Sequence, residues 1–311
     1  MNKLKKNSVA ILGVTGYIGR ALLNEIHNNP EWEVVGYSRD VDAAINTLAS
    51  YNVSHGDIKN YEELLDNKYD VLVNVTGIGS PKKLHEDLGA VFAVTEEMDR
   101  VVFQYLDKYP DTRTFNISSG AVYGISSGDY VGPNSIATFA VNSLNLRDSY
   151  ALAKLHSEGK HRARSQSSIV DLRVFAFVSR YLDASDLFLI SEIAHSLKKK
   201  TSLKTNSVDL VRDFTTAGDL VAVLKFLVGR EPVNDVFDMR SKEPLSKLEL
   251  LHKLKEELGL TFEVEEMNDS SPTGVKNVYA PTESRLESLG YSPQYSSTES
   301  VMSELKAFLT L

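Results

Sequence analysis

The feature that most constrains this chain is a glycine-rich segment near its start. Residues 8–20, SVAILGVTGYIGR, are typical of a strand, then a turn with Gly13, Gly16 and Gly19, then the first turn of a helix. Glycines at this spacing allow a tight turn, an open path for a pyrophosphate and close packing of the helix on the strand. A helix that begins at such a turn presents free N–H groups and its positive dipole end to an anion. The segment therefore predicts a nucleotide-binding turn in an α/β fold.

The rest of the first half alternates short β-branched runs with amphipathic stretches, a pattern typical of parallel β-α-β units. The predicted strands are residues 9–12, 33–37, 71–75, 114–118 and 169–174, with predicted helices at 17–27 and 95–106. A glycine-punctuated stretch from Gly120 to Gly132 predicts a long functional loop.

After about residue 175 the regular alternation fades. Predicted helices there are residues 187–200, 218–228, 245–258 and 298–309, with a predicted strand at 236–239 and surface loops at 268–277 and 291–298. We predict a doubly wound parallel α/β domain over residues 1–172, and a smaller mixed α/β lobe over residues 173–311. Some segments of the second lobe are expected to return to the first domain.

Composition excludes several classes of function. The chain has no cysteine, which rules out disulfides, thiolate metal sites and cysteine nucleophiles, and we assign no metal site. Its net charge of −8 argues against a general nucleic-acid-binding surface. Apolar runs are short and interrupted by charges, so the sequence predicts no membrane span and no signal peptide. We expect a cytoplasmic protein.

Tyr150 and Lys154 stand four residues apart in SYALAKLHSE. On a helix this spacing places both side chains on one face. A lysine ammonium beside a phenol stabilises the phenolate form, which suits Tyr150 to proton transfer. Ser118 and Ser119 follow a predicted strand, at the sheet edge where open α/β sheets bind ligands. A serine hydroxyl there can hydrogen-bond a substrate oxygen while hydride arrives at or leaves the adjacent carbon.

The end of the second predicted strand bears on the choice of nucleotide. Ser38 and Arg39 stand where a ribose-binding acid is otherwise expected, and they suit a 2′-phosphate. Asp40 and Asp42 follow closely, and a small shift in register would place an acid on a 2′-hydroxyl instead. NADP is favoured, with NAD as the alternative. Asp57 is expected at the end of the third strand beside the adenine, or else as the cap of a helix at 61–65.

These segments resemble the extended short-chain dehydrogenases/reductases, within the NAD-dependent epimerase/dehydratase group that modifies nucleotide sugars. GVTGYIG is similar to the family's glycine fingerprint, SSGAVYG to its serine segment and SYALAKLHSE to its Tyr-x-x-x-Lys helix. VDLRVFAFVS and VRDFTTAGDLVAVL resemble segments further along that family's chain.

The resemblance implies a Rossmann domain, a catalytic trio, a nucleotide-sugar substrate and a homodimer. The implied catalytic residues are Ser119, Tyr150 and Lys154, and the implied substrate-binding residues are Ser119, Tyr150 and Arg212, whose guanidinium would grip the diphosphate. The predicted cofactor-binding residues are Gly13, Thr15, Gly16, Tyr17, Ile18, Gly19, Ser38, Arg39, Asp57, Ile58, Thr76, Gly77, Tyr150 and Lys154.

The chain also departs from that family's pattern. An asparagine common after the sixth strand is missing, since these positions read Phe175, Ala176 and Phe177. The Asp-Glu pair of 4,6-dehydratases is replaced by Gly120 and Ala121, which disfavours dehydration. A cysteine-dependent 3,5-epimerase/reductase is excluded because there is no cysteine.

Three hypotheses follow. The favoured one is an NADPH-dependent reductase of a nucleotide-linked 4-keto-6-deoxyhexose, because Ser38 and Arg39 favour NADPH. The alternatives are an NAD-dependent nucleotide-sugar 4-epimerase, which would use the same three side chains, and a non-catalytic NADP-binding sensor.

Overall fold

A parallel sheet with helices on both faces forms the centre of the molecule. The computed structural model describes residues 6–79, 89–124, 129–183, 188–265 and 277–311. The strands, in chain order, are β1 (Asn7–Leu12), β2 (Trp32–Ser38), β3 (Asp57–Asn60), β4 (Val71–Asn74), β5 (Arg113–Ser119), β6 (Ile169–Val174), β7 (Ala176–Phe177), β8 (Leu203–Asn206), β9 (Val211–Arg212), β10 (Phe214–Thr215), β11 (Asp235–Asp238), β12 (Leu245–Ser246), β13 (Phe262–Glu265) and β14 (Val278–Tyr279).

Seven of these strands form one parallel sheet in the order β11-β6-β5-β4-β1-β2-β3. The chain reverses its direction across the sheet between β1 and β4, which is the point where open α/β sheets form a ligand crevice. This arrangement confirms the predicted doubly wound Rossmann fold.

The helices cover both faces of the sheet. They are α1 (Tyr17–His27), α2 (Val41–Ser50), α3 (Gly89–Lys108), α4 (Leu146–Ala163), α5 (Leu189–Lys199), α6 (Ala217–Val228), α7 (Lys247–Leu258), α8 (Arg285–Ser288) and α9 (Ser297–Thr310), with 3-10 turns at Tyr61–Asp66 and Gly120–Tyr123. Within the described ranges, none of these helices is both long enough and apolar enough to cross a membrane.

The predicted helix at 245–258 is wrong in its first two residues. Leu245 and Ser246 pair antiparallel with Arg212 and Val211 of β9, and the helix begins only at Lys247. The Ser246 hydroxyl then accepts the N–H of Glu249 as the N-cap. Pairing with β9 therefore holds Leu245 and Ser246 in extended backbone, and the helix starts directly after Ser246, which is also its N-cap.

Some predictions fall outside the described residues. These predictions concern Gly128 of the predicted loop, residue 187 at the start of a predicted helix, and almost all of the predicted loop at 268–277. The described part of the glycine-punctuated stretch begins with the 3-10 turn at Gly120–Tyr123, which ends at Gly124.

The described residues form four apolar clusters, of which the smallest surrounds Phe175 and the other three are larger. One lies under α1 and α6, one under α3 around Tyr37 and Tyr105, and one in the C-terminal half around α5, α7 and α9. Side chains of α6 and β11 belong to the first cluster, although their sequence positions follow residue 172. The boundary between the two domains stays a prediction.

A buried histidine joins two helices to the sheet. His161 of α4 lies between two carboxylates. Its Nδ1 is 2.8 Å from Oδ1 of Asp171 in β6, and its Nε2 is 3.4 Å from Oδ1 of Asp99 in α3. All three side chains are buried, and together they form the His161 cluster. Burial alone would lower the pKa of His161, but bonds and charges from Asp171 and Asp99 outweigh it and raise the pKa to about 9.

The His161 cluster predicts a pH-dependent stability. Because the native pKa of about 9 lies above the ordinary value of 6.5, protonated His161 favours the folded state. That contribution, about 3 kcal/mol, is fully present below about pH 6.5 and is lost as the pH rises through about 9. Urea unfolding at about pH 6 and about pH 9.5 should show the loss in the wild type and not in His161→Gln.

The matched control is His156→Gln, on an exposed position of the same helix, which should keep the wild-type pH dependence. An equal loss of stability in His161→Gln and in the wild type would show that another group titrates.

Candidate functional site

The glycine turn has the shape that a pyrophosphate needs. Gly13 has a φ of +90°, which side-chain-bearing residues rarely adopt, and a Cβ there would lie 2.8 Å from Cγ2 of Thr76. A Cβ on Gly19 would lie only 2.2 Å from the Gly13 carbonyl oxygen. Among the described residues, no side chain caps the N-terminus of α1 at Gly16. Backbone N–H groups therefore face a cradle that fits a dinucleotide phosphate.

Not every residue of the predicted turn faces this cradle. The Tyr17 hydroxyl accepts the N–H of Ser179 at 2.8 Å and lies 3.2 Å from the Ser179 carbonyl oxygen. Arg20 donates to the carbonyl of Tyr181 at 2.6 and 2.8 Å. Ile18 packs against the first apolar cluster. The hydrogen bonds of Tyr17 and Arg20 therefore join α1 to the segment that follows β7.

The loop after β2 contains the residues predicted to bind the adenosine end of the cofactor. Ser38 is the last residue of β2, and Arg39 is exposed. Asp40 is the N-cap of α2, where its Oδ1 accepts the N–H of Ala43 at 2.9 Å. The Asp40 carboxylate is therefore engaged by its own helix, and Ser38 and Arg39 remain the side chains at the strand end.

The predicted position of Asp57 is wrong. Asp57 begins β3 opposite Val35 and is exposed, whereas Asn60 ends the strand opposite Ser38. Asn60 also caps the following 3-10 turn, in a reciprocal capping box with Glu63. The strand continues through Ile58 because it pairs with β2 over its whole length, and such pairing is not visible in the local pattern. A contact between Asp57 or Ile58 and the cofactor stays a prediction.

Tyr150 and Lys154 lie on one helix, α4, as the four-residue spacing predicts. The Lys154 ammonium is buried and donates to the carbonyl of Ile117 at 2.9 Å. A Cβ on Gly77 would lie 3.3 Å from the Lys154 Nζ, and Thr76 next to it packs against Gly13. The predicted residues that follow β1 and β4 thus lie next to one another, and those after β4 lie beside Lys154 of α4.

The two strand-end serines face different partners. Ser118 donates to Glu158 Oε1 at 2.6 Å. The Ser119 Oγ accepts the N–H of Ala121 at 3.1 Å, and it lies 3.1 Å from the hydroxyl of Tyr279. Ser119 is therefore the serine that is available to the cleft.

Tyr279 was missed by the sequence analysis. Burial raises the pKa of its phenol most, the bond to Ser119 lowers it, and the nearby Tyr150 raises it further, so the phenol stays protonated at neutral pH. Its ring lies 5.1 Å from that of Phe175. Tyr279 belongs to a two-residue strand, which is too short to show any periodicity, so the sequence carries no signal for it.

A buried network, the Glu158–Arg173 clamp, fixes α4 on the sheet. Arg173 of β6 donates to both carboxylate oxygens of Glu158, at 3.0 and 2.7 Å, and to the Tyr123 hydroxyl at 2.8 Å. That hydroxyl donates in turn to Asp238 of β11 at 2.7 Å. With Ser118, the clamp joins α4 to β5, β6 and β11.

Arg212 is the last residue of β9 and pairs with Tyr279 of β14. Its guanidinium carbon is 6.0 Å from the centroid of the Tyr279 ring, and its Nη1 donates to the carbonyl of Val211. The carboxylate of neighbouring Asp213 is buried and accepts the N–H of Ser241 at 2.8 Å. The structure thus brings Ser119, Tyr279 and Arg212 to one place, with Tyr150 close by.

Comparisons with known proteins identify the family and similar folds. The model of the NAD-dependent epimerase/dehydratase family matches residues 9–238. A variant of UDP-glucuronic acid 4-epimerase from Bacillus cereus, in complex with UDP-4-deoxy-4-fluoro-glucuronic acid and NAD, is 18% identical, with 97% of this chain and 99% of that chain covered and a TM-score of 0.76. UDP-glucose 4-epimerase from Thermotoga maritima with UDP-glucose is 14% identical, with coverage of 97% and 99% and a TM-score of 0.77. dTDP-glucose 4,6-dehydratase from Bacillus anthracis in complex with NAD is 13% identical, with coverage of 98% and 97% and a TM-score of 0.74.

We predict that one methyl group added to the glycine turn strongly weakens cofactor binding. In Gly19→Ala the new Cβ meets backbone, which cannot move aside as a side chain can, so the turn must distort. We expect loss of NADPH and NADH binding in a fluorescence titration, by on the order of 100-fold. That loss corresponds to about 3 kcal/mol.

Gly159→Ala is the matched control, because a Cβ at Gly159 of α4 meets nothing within 4 Å. It should bind both cofactors as the wild type does. Wild-type affinity in Gly19→Ala would contradict the assignment of the turn to the cofactor phosphates.

Proposed function

This chain belongs to the NAD-dependent epimerase/dehydratase family, and from that premise we propose that it is an NADPH-dependent reductase of a nucleotide-linked 4-keto-6-deoxyhexose. The observation that carries the choice is the loop after β2. Ser38 and Arg39 stand at the strand end, while Asp40 uses its Oδ1 to cap α2 by accepting the N–H of Ala43. A hydroxyl donor and a guanidinium suit a 2′-phosphate, whereas a free acid would suit a 2′-hydroxyl.

The residues of the carboxyl edge fit the two ends of a dinucleotide. Gly13, Gly16 and Gly19 would hold the pyrophosphate, and Ser38 with Arg39 the 2′-phosphate. Gly77 and Lys154 would lie beside the nicotinamide ribose. When bound, the cofactor supplies the hydride that reduces the sugar carbonyl.

The side chains of the protein supply the proton. Tyr150 donates its phenolic proton to the carbonyl oxygen as hydride reaches carbon 4, so the C=O group becomes CH–OH. Ser119 donates a hydrogen bond to the same oxygen and holds it in place. The Lys154 ammonium, fixed by the carbonyl of Ile117, stabilises the phenolate that remains.

The neighbourhood of Ser119 supports reduction over dehydration. A Cβ on Gly120 would lie 2.5 Å from the ring of Phe175, so a larger side chain at position 120 has no room in this arrangement. Elimination of water needs an additional acid and base next to the sugar. The ring of Phe175 fills the place where the first of that pair would stand.

Arg212 supports a nucleotide-linked substrate. It lies beyond Tyr279 and Ser119 on the second-lobe side, where a diphosphate attached to the reacting sugar can reach it. A guanidinium pairs with phosphate oxygens through two parallel hydrogen bonds. We also propose a homodimer, on the family resemblance, and a cytoplasmic location, because the sequence has no cysteine and predicts no signal peptide.

An NAD-dependent nucleotide-sugar 4-epimerase is the second candidate. It is favoured by the structural similarity to two 4-epimerases, one of them in complex with NAD, and it would use the same Ser119, Tyr150 and Lys154. In an epimerase the hydride returns to the sugar in each cycle, so the cofactor stays bound. A non-catalytic NADP sensor is disfavoured because all three side chains are intact.

Cofactor binding separates these candidates. We expect the purified wild type to bind NADPH more tightly than NADH, and Arg39→Ser to lose about tenfold or more of its NADPH affinity, because a charge-assisted hydrogen bond is worth about 1.5–3 kcal/mol. NADH affinity should not change. The measurement is a fluorescence titration of each variant with each cofactor.

Arg100→Ser, which removes an exposed arginine of α3, is the control for a general change in charge and should bind both cofactors as the wild type does. Co-purification of tightly held NAD, with no preference for NADPH, would replace the reductase by the epimerase.

Tyr150→Phe should keep the cofactor affinity and lose turnover by at least about 100-fold, because only the transferred proton is removed. Turnover is measured as NADPH oxidation with a nucleotide-linked 4-keto-6-deoxyhexose. The same assay with the free keto-sugar tests the need for the nucleotide. Full activity of Tyr150→Phe would exclude Tyr150 as the acid, and equal rates with the free sugar would exclude a nucleotide-linked substrate.

A further inference from the structure

Tyr279 meets the predicted catalytic serine from the opposite side of the cleft. Its hydroxyl lies 3.1 Å from the Ser119 Oγ, although the two residues are 160 positions apart in the chain. Tyr150 is close enough to influence the same phenol electrostatically. Tyr279 is therefore positioned among the reacting groups and is not a remote part of the wall.

The phenol of Tyr279 is held by its surroundings. β14 pairs with β9, so that Tyr279 stands beside Arg212, and its carbonyl accepts the N–H of Asp213. The ring packs on Phe175 at 5.1 Å, within the apolar cluster that also contains Val122 and Val131. Backbone pairing and ring packing together fix where the hydroxyl lies.

The hydrogen-bonding capacity of Ser119 limits what Tyr279 can do. A serine hydroxyl has one proton and two lone pairs. The N–H of Ala121 occupies one lone pair, at 3.1 Å. If the Tyr279 hydroxyl donates to the other, the Ser119 proton is the one group left to bond an incoming oxygen. Because burial raises the pKa of the Tyr279 phenol, the phenol keeps its proton and can serve as this donor at neutral pH.

We infer that Tyr279 is a positioning residue, whose hydroxyl donates to Ser119 and thereby directs the Ser119 proton to the reacting oxygen of the sugar. Tyr279 itself transfers no proton. This role rests on the proposed function in one respect, since it assumes that Ser119 bonds a sugar oxygen that gains or loses hydride at its carbon. It holds equally for a reductase and for a 4-epimerase.

The test is a double-mutant cycle with Tyr279→Phe and Ser119→Ala. Tyr279→Phe keeps the ring and removes the hydroxyl, so we expect kcat to fall on the order of 100-fold, as for a misplaced catalytic group, with KM and melting temperature nearly unchanged. In the Ser119→Ala background, Tyr279→Phe should cause no further loss, because the group that it positions is gone.

A purely structural role predicts a different result. In that case the two losses would multiply, or Tyr279→Phe would lower the melting temperature together with kcat, and either result would overturn the inference. An unchanged kcat in Tyr279→Phe would overturn it as well. Tyr295→Phe, on an exposed tyrosine, is the matched control and should behave as the wild type.

Failure of the proposed function would be visible separately. If the wild type neither oxidises NADPH with a nucleotide-linked keto-sugar nor interconverts nucleotide sugars, the proposed function is wrong. Crystal structures of the wild type and Tyr279→Phe then decide the role of Tyr279. A Ser119 rotamer that changes in the variant supports the inference, and one that stays the same overturns it.

Discussion

The buried ion pair between Glu158 and Arg173 determines where the helix with Tyr150 and Lys154 lies on the sheet. Both side chains are largely buried, at 5% and 15% exposed, and two such charges lose hydration that only a well-bonded partner can replace. Here Ser118 and Tyr123 supply the remaining hydrogen bonds. Because Glu158 stands one turn after Lys154, the clamp fixes the lysine against the carbonyl of Ile117.

The His161 cluster fixes the same helix one turn further on. Its carboxylates come from α3 and β6, so the C-terminal half of α4 is bonded to elements on two sides. Tyr150, at the other end, stands in the cleft without such a constraint from charged partners in the described residues. The buried charged bonds of α4 are therefore concentrated in its C-terminal half, while the proposed acid Tyr150 lies near its N-terminal end.

The sequence was sufficient for features that depend on local spacing. The glycine turn, the strand-to-helix alternation and the four-residue spacing of Tyr150 and Lys154 are properties of neighbouring residues, and the structure shows each of them. Features that depend on pairing between distant segments were missed or misplaced. Tyr279 reaches Ser119 only because β14 pairs with β9, and Asp57 begins its strand because β2 determines the register of β3. The first two residues of the predicted helix at 245–258 were lost to β9 for the same reason.

The cap of α2 has a consequence for how this protein could change its cofactor. Asp40 contributes to folding through the N–H of Ala43, and removal of such a cap costs about 1 kcal/mol. The side chains of Ser38 and Arg39 do not cap α2. Evolution, or a protein engineer, can therefore alter the two residues proposed to bind the 2′-phosphate at little structural cost, while Asp40 is retained. In the proposed function, cofactor preference and the folding of α2 thus depend on adjacent but different residues, and each can be varied separately.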